Sequence, residues 1–217
     1  MNKLSKFLKQ ELKVEDESIF RKFGLYNNFL LDWNSKINLI SRNSESIEAQ
    51  TLNSIFFLTK YKISGNSYIA DIGTGGGFPG IPLKILDSSL KILLVDSIYK
   101  KVNVLGDMVK KLEMKDVEAK CGRAETISKE LPYIKKFDIV TAKSVATLDK
   151  LFDWTKNLLK ENGKMIFIKG GDITEELKSL KKKNRNIETE VIEYNFNDTY
   201  DIEDKKIVII KKHFNQL

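Results

Sequence analysis

The stretch Asp71-Ile72-Gly73-Thr74-Gly75-Gly76-Gly77-Phe78-Pro79-Gly80 constrains the fold more than any other part of the chain. It directly follows a short apolar run, Tyr68–Ile72, and precedes a further apolar pattern. Glycines packed this densely let a backbone take positive φ and approach a ligand closely. A turn of this kind after a buried strand belongs at the carboxyl end of a strand in an open α/β sheet, where such sheets bind ligands.

The rest of the chain after residue 65 fits that sheet. Apolar runs recur at 92–95, 137–141, 165–168 and 207–210, with a weaker one at 117–120. Runs of this length without alternation suggest strands buried on both faces. Helical stripes lie between them: Val102, Leu105, Val109 and Leu112, then Leu148, Leu151, Phe152, Thr155 and Leu158. Strand and helix in alternation predict a mostly parallel, doubly wound sheet. No helical pattern separates 188–194 from 206–211, so these two are expected to pair antiparallel at one edge.

Before residue 65 only helices are legible. Leu4, Phe7, Leu8 and Leu12 form one stripe, and Ile19, Phe23, Tyr26, Leu30 and Trp33 form a second, with Asp16 as its N-cap. Ser44 is expected to cap a third helix carrying Ile47, Leu52, Ile55 and Phe56. The expected organisation is a helical extension over 1–64 and a sheet domain over 65–217.

Residue counts remove several chemistries. One cysteine, Cys121, and one histidine, His213, allow no intramolecular disulfide, no Cys/His zinc site and no Asp-His-Ser triad. No metal is expected, and catalysis has to proceed without imidazole. The longest charge-free stretch, residues 72–83, is twelve residues with five Gly and two Pro, too short for a span of about 20 apolar residues. Lysines at 3, 6, 9 and 13 interrupt any signal-peptide core, so the chain reads as cytoplasmic. The net charge of +7 suits a polyanionic partner, though 33 of the 37 basic residues are Lys, which compositional bias also explains.

The glycine turn has a second acidic companion. Asp96 closes the run 92–95, 23 residues after Gly73, near the spacing of about 20 at which an acid meets a ribose hydroxyl. A dinucleotide fingerprint needs Gly at 78, where Phe stands; a P-loop needs a Gly-Lys-Ser/Thr that is absent. Pro79 and Pro82 are expected to disturb the start of the next helix. Asp71 suits a cationic amino-acid group better than a pyrophosphate, and S-adenosylmethionine carries one. The expected arrangement wraps 73–78, including Gly73, Gly75, Gly77 and Phe78, around that moiety. Asp96 reaches the ribose, and Gly122-Arg123-Ala124-Glu125 embraces the adenine.

DIGTGGGFPGIP at 71–82, LVDSIYKK at 94–101, GRAE at 122–125, FDIVTA at 137–142 and WNSKINL at 33–39 resemble the RsmG/GidB family of bacterial rRNA methyltransferases. The resemblance runs from about residue 30 to 170. It implies a class I, Rossmann-like methyltransferase sheet that transfers methyl from S-adenosylmethionine to N7 of a guanine in the decoding-region loop of 16S rRNA. It carries cofactor roles to Gly73, Phe78, Ala124 and Glu125, and makes 16S rRNA or the small ribosomal subunit the partner. Two departures touch expected substrate contacts. Lys143 stands where the family usually has Arg after the fourth strand. Gln50 and Asn53 stand where it tends to His and Asp. Lys143 is accordingly a candidate for the cofactor carboxylate or an RNA phosphate, and Arg to Lys loses a bidentate fork.

The absent imidazole agrees with this chemistry: guanine N7 is an unprotonated lone pair at neutral pH and needs no base. Cytosine C5 methylation would want a nucleophilic Cys near the fourth strand, and Cys121 closes the third. An RNA face is legible in the run Lys178, Lys181, Lys182, Lys183 and Arg185, with Lys100, Lys101, Lys110 and Lys111 adding charge, although such a run also makes an ordinary solvated helix face. Phe78, Tyr99 and Trp154 are aromatic candidates for stacking on a base. The competing readings are a methyltransferase for another RNA, a protein or a small molecule; a non-catalytic RNA-binding module; and an NAD enzyme, which Phe78 disfavours.

Overall fold

The computed structural model describes residues 2–40, 46–196, 199–200 and 202–212. His213 and Ser44 lie outside the described residues.

Three helices come first: α1 (Lys3–Gln10), α2 (Glu17–Asn34) and α3 (Ile47–Ile55), with one 3-10 turn, Phe56–Thr59, behind them. Each helix starts on a polar side chain that accepts a free N–H of its first turn: Asn2 from Ser5, Asp16 from Ser18 and Ser46 from Ala49. The Asp16 cap is as expected, whereas the cap of α3 is Ser46. Leu12 lies beyond the end of α1 and still packs against the core.

The α/β part then runs β1 (Tyr68–Ile72), α4 (Gly80–Leu86), β2 (Lys91–Asp96), α5 (Tyr99–Lys111), β3 (Val117–Cys121), α6 (Ala124–Ile127), β4 (Phe137–Lys143), α7 (Leu148–Thr155), β5 (Leu159–Gly170), α8 (Thr174–Lys183), β6 (Ile187–Tyr194) and β7 (Lys205–Lys212). The prolines spare α4: Pro79 occupies its N-cap and Pro82 its first turn, where a missing N–H breaks no helical bond.

Seven strands form one sheet in the order β3-β2-β1-β4-β5-β7-β6. The first five are parallel; β7 is antiparallel to both β5 and β6, and β6 takes the edge. The order reverses at β1, which lies between β2 and β4. A crevice therefore opens beyond the carboxyl ends of these strands.

Alternation along β1 distributes the two core layers. Ile69 joins α4, α5 and the N-terminal helices on one face; Ala70 and Ile72 join α6, α7 and α8 on the other. The described residues before β1 share the first layer rather than forming a core of their own. Phe7 of α1 meets Tyr200 and Phe196 edge-on at 5.1 and 5.8 Å, and the Tyr26 hydroxyl of α2 donates to the Gly76 carbonyl at 3.0 Å. Side chains of this size contribute about 1.5–3 kcal/mol each on full burial, so the helices are held against the sheet. Among the described residues, no helix is long and apolar enough to cross a membrane.

Candidate active site at the carboxyl ends of the parallel strands

Two carboxylates hold the glycine turn. Asp71, the fourth residue of β1, points into the first core layer and is 0% exposed. Its Oδ2 accepts the Thr74 hydroxyl at 2.6 Å and the Gly80 N–H at 2.9 Å, clamping both ends of the turn from beneath. Burial pushes the Asp71 carboxyl up to about 7, against the opposing pull of these two bonds and of the Lys143 ammonium. Asp96, at the end of β2 and 7% exposed, holds the other side. Its Oδ2 accepts the Gly75 N–H at 3.0 Å and its Oδ1 the Ile98 N–H at 2.9 Å. Each carboxylate oxygen has a further lone pair, so Asp96 retains acceptor capacity for a hydroxyl.

Between the ends of β1, β2 and β3 lies a cavity lined by Gly73, Asp96, Ala124, Glu125, Val145 and Trp154 among others. The sequence candidates Gly73, Asp96, Ala124 and Glu125 come together here. Asp71, Gly75, Gly77, Phe78 and Lys143 do not line it. The reason for Asp71 is strand parity: Ile72 faces the cavity, so Asp71 faces the opposite way and supports the turn instead of meeting a cationic ligand group. Phe78 is buried against Tyr26, ring centroids 5.6 Å apart.

Val145 and Trp154 enlarge the candidate site. Trp154 lies off the buried stripe of α7 and was legible only as one possible stacking aromatic. Val145 carries no sequence signal, because the connection from β4 to α7 sets its place. A Cβ on Gly73 would lie 2.6 Å from the Val145 side chain, so only glycine leaves room there. The cavity measures about 80 Å³, against roughly 300–1,000 Å³ for a ligand cleft. Val145, 37% exposed, stands at its edge against Gly73. Val145→Ala is expected to speed cofactor association in stopped-flow binding; an unchanged rate would mean that this connection is no barrier.

The lysine run lies elsewhere. β5 ends at Gly170 on the cavity side, and α8 returns from Thr174 for ten residues, about 15 Å at 1.5 Å per residue. Its last turn and Arg185 thus reach the opposite end of the sheet. Two members are engaged: Lys178 with Glu175 at 2.8 Å, and Lys183 with Asp149. The Lys183 bond, with a second from the Thr147 hydroxyl, holds the Asp149 carboxyl well below the usual range. Lys181 and Lys182 are exposed. At the cavity side, the chain leaving Asp96 exposes Ile98 (48%), Tyr99 (68%) and Lys100, and the half-buried Lys101 in the first turn of α5 donates to the Leu39 carbonyl at 3.5 Å. Arg123 lines the cavity itself.

Residues 19–207 match the family described as GidB, rRNA small subunit methyltransferase G. A protein of Lachnoclostridium phytofermentans named ribosomal RNA small subunit methyltransferase G is 39% identical over 158 residues, 72% of this chain. The chain covers 65% of that relative, just under two thirds of its length. One of the same name from Mycoplasma capricolum is 38% identical over 188 residues, 86% of this chain and 80% of the relative. Among solved structures, an O-methyltransferase from Bacillus cereus in complex with SAH has a TM-score of 0.58 at 13% identity, covering 95% of this chain and 96% of that one. A SAM-dependent methyltransferase from Aquifex aeolicus has 0.57 at 16%, covering 80% and 95%. At these identities the structures establish the fold.

Proposed function

The chain belongs to the GidB family, rRNA small subunit methyltransferase G, and on that premise we propose that it transfers a methyl group from S-adenosylmethionine to N7 of a guanine in the decoding-region loop of 16S rRNA. The carrying observation is the cavity at the carboxyl ends of β1 to β3, where the glycine turn and the Asp96 carboxylate meet. These residues fit the cofactor: Asp96 has lone pairs for ribose hydroxyls, and Trp154 offers an apolar face to a purine.

When bound, the cofactor supplies an activated sulfonium methyl group. The protein's own part is positioning. Asp71 and Asp96 hold the turn rigid from two sides, and Ala124 and Glu125 bound the far end of the cavity. Asp96, Arg123 and Glu125 are the charged residues lining it, and an acceptor with a free lone pair asks no proton transfer of them. Another RNA, a protein or a small molecule as the methyl acceptor is the alternative. Mapping N7-methylguanosine in small-subunit rRNA from cells with and without this gene decides between them: an unchanged map would remove the rRNA reading. A substrate of this kind, free 16S rRNA or the small subunit, is met in the cytoplasm.

The RNA face we propose is the cavity rim, Tyr99, Lys100, Lys101 and Arg123. Neutralising Lys100 and Lys101 together is expected to flatten the log affinity–log salt slope for rRNA by about 1.4–1.8, at 0.7–0.9 per phosphate contact. Neutralising Lys181 and Lys182 on α8 tests the earlier candidate surface. If only the second pair changes the slope, the RNA approaches from the other end of the sheet.

A further inference from the structure

Lys143 closes β4, and its side chain leaves the sheet on the face that Asp71 occupies. Asp71 pairs with Thr141 in the register, and Lys143 follows Thr141 by two residues. The Lys143 ammonium donates to Gln50 Oε1 of α3 at 2.7 Å, across 93 positions of sequence. It also lies 5.5 Å from the centre of the Phe78 ring, at the end of the glycine turn. Two of the three positions marked by the resemblance as departures, 50 and 143, are thus partners in one hydrogen bond.

Asp71 needs such a neighbour. Its Oδ2 carries the bonds to Thr74 and Gly80, while its Oδ1 is buried without a hydrogen-bond partner among the described residues. The charged and titratable groups that face it are Lys143 from β4, Asp96 from β2 and the Tyr26 phenol from α2. Lys143 is the cation among these three. Burial and the two hydrogen bonds weigh more on this carboxyl than Lys143 does, and Lys143 is the counter-charge that adds to the two bonds in favouring its ionised form.

We propose that Lys143, held by Gln50, is a positioning residue for the glycine turn: its ammonium favours the ionised form of Asp71, and the ionised carboxylate is the stronger clamp on Thr74 and Gly80. A charged acceptor holds such donors about twice as strongly as a neutral one. The proposal deepens the reading of this turn as the seat of the cofactor and gives α3, through Gln50, a part in shaping it.

The sign of the pH effect follows from the raised carboxyl. Folded Asp71 holds its proton up to about pH 7, whereas the unfolded group releases it near 3.8. Its contribution to stability is therefore full below pH about 4, declines as pH rises, and levels off above about 7. Denaturant unfolding of the full chain between pH 4 and 9, without cofactor, reads this step. Lys143→Met is expected to move the levelling point upward by about one pH unit or more, equivalent to about tenfold in proton affinity. Lys143→Arg should leave it in place. Gln50→Ala should move it part of the way, and adding Gln50→Ala to Lys143→Met should change nothing further. Asp71→Asn should abolish the step. In calorimetry, S-adenosylmethionine affinity of Lys143→Met should fall about fivefold at pH 7, as the ionised fraction of Asp71 does for a one-unit shift, and recover at higher pH, in parallel with the stability curve. A Lys143→Met curve that superimposes on the parent, a step that survives Asp71→Asn, or strictly additive variants would overturn the proposal. Failure of the parent protein to bind S-adenosylmethionine would instead overturn the cofactor reading and leave the unfolding arm to judge the Lys143–Asp71 pair.

Discussion

Gly77→Ala is expected to destabilise the protein by about 2–5 kcal/mol and to abolish measurable S-adenosylmethionine binding. Gly77 has φ +99°, and a Cβ there would lie 2.6 Å from Ile81 Cγ1 and 3.2 Å from its Cβ. A left-handed backbone costs an L-residue about 1–2 kcal/mol, and forcing a methyl into a packed core about 1–3 more. Ile81 is fully buried in α4, so its branched side chain has nowhere to retreat. The loss is a large share of a domain's typical 5–15 kcal/mol. Gly75 makes the comparison. Its φ of +57° carries the same backbone cost, but a Cβ would meet the Leu39 carbonyl at 3.5 Å, an ordinary contact. Gly75→Ala should therefore cost only about 1–2 kcal/mol. Urea midpoints and calorimetry on the two variants test the ordering, and equal losses would mean that the Ile81 contact does not limit position 77.

Asp96→Ala is expected to weaken S-adenosylmethionine binding by about 10- to 100-fold and to lower stability as well. A lost hydrogen bond to a charged group is worth about 1.5–3 kcal/mol, which sets the binding loss if Asp96 meets the ribose. The structure adds a second cost, because the N–H groups of Gly75 and Ile98 lose their acceptor together. Asp96→Asn should fall between, since its one amide oxygen can replace only one of the two carboxylate acceptors. A binding constant unchanged in Asp96→Ala would take this carboxylate off the ligand and leave it a turn-holding role.

Much of this site was legible in the residues. The apolar runs placed β1 to the residue and most other strands to within two, because burial on both faces favours apolar residues, whereas β5 starts at Leu159, six residues before its run. The glycine cluster located the turn, Asp96 the end of β2, and Gly122-Arg123-Ala124-Glu125 the segment that follows β3. Each is a local property, set by burial period, backbone freedom or capping within about ten residues.

Directions and distant partners were decided by the tertiary structure. Asp71 is next to the turn in sequence, but strand parity sends its carboxylate beneath the turn and out of the cavity. The run from Lys178 to Arg185 is dense in charge, yet the return of α8 carries its last turn away from the site, and Asp149 neutralises Lys183 from another helix. Val145 reaches Gly73, and Gln50 reaches Lys143, only after the chain has crossed the sheet several times. A one-dimensional pattern records which residues are buried and where the backbone must bend. It does not record which face of a strand a polar residue takes among its neighbours, or what meets it there, because those depend on the register and handedness of crossovers made by residues tens of positions away.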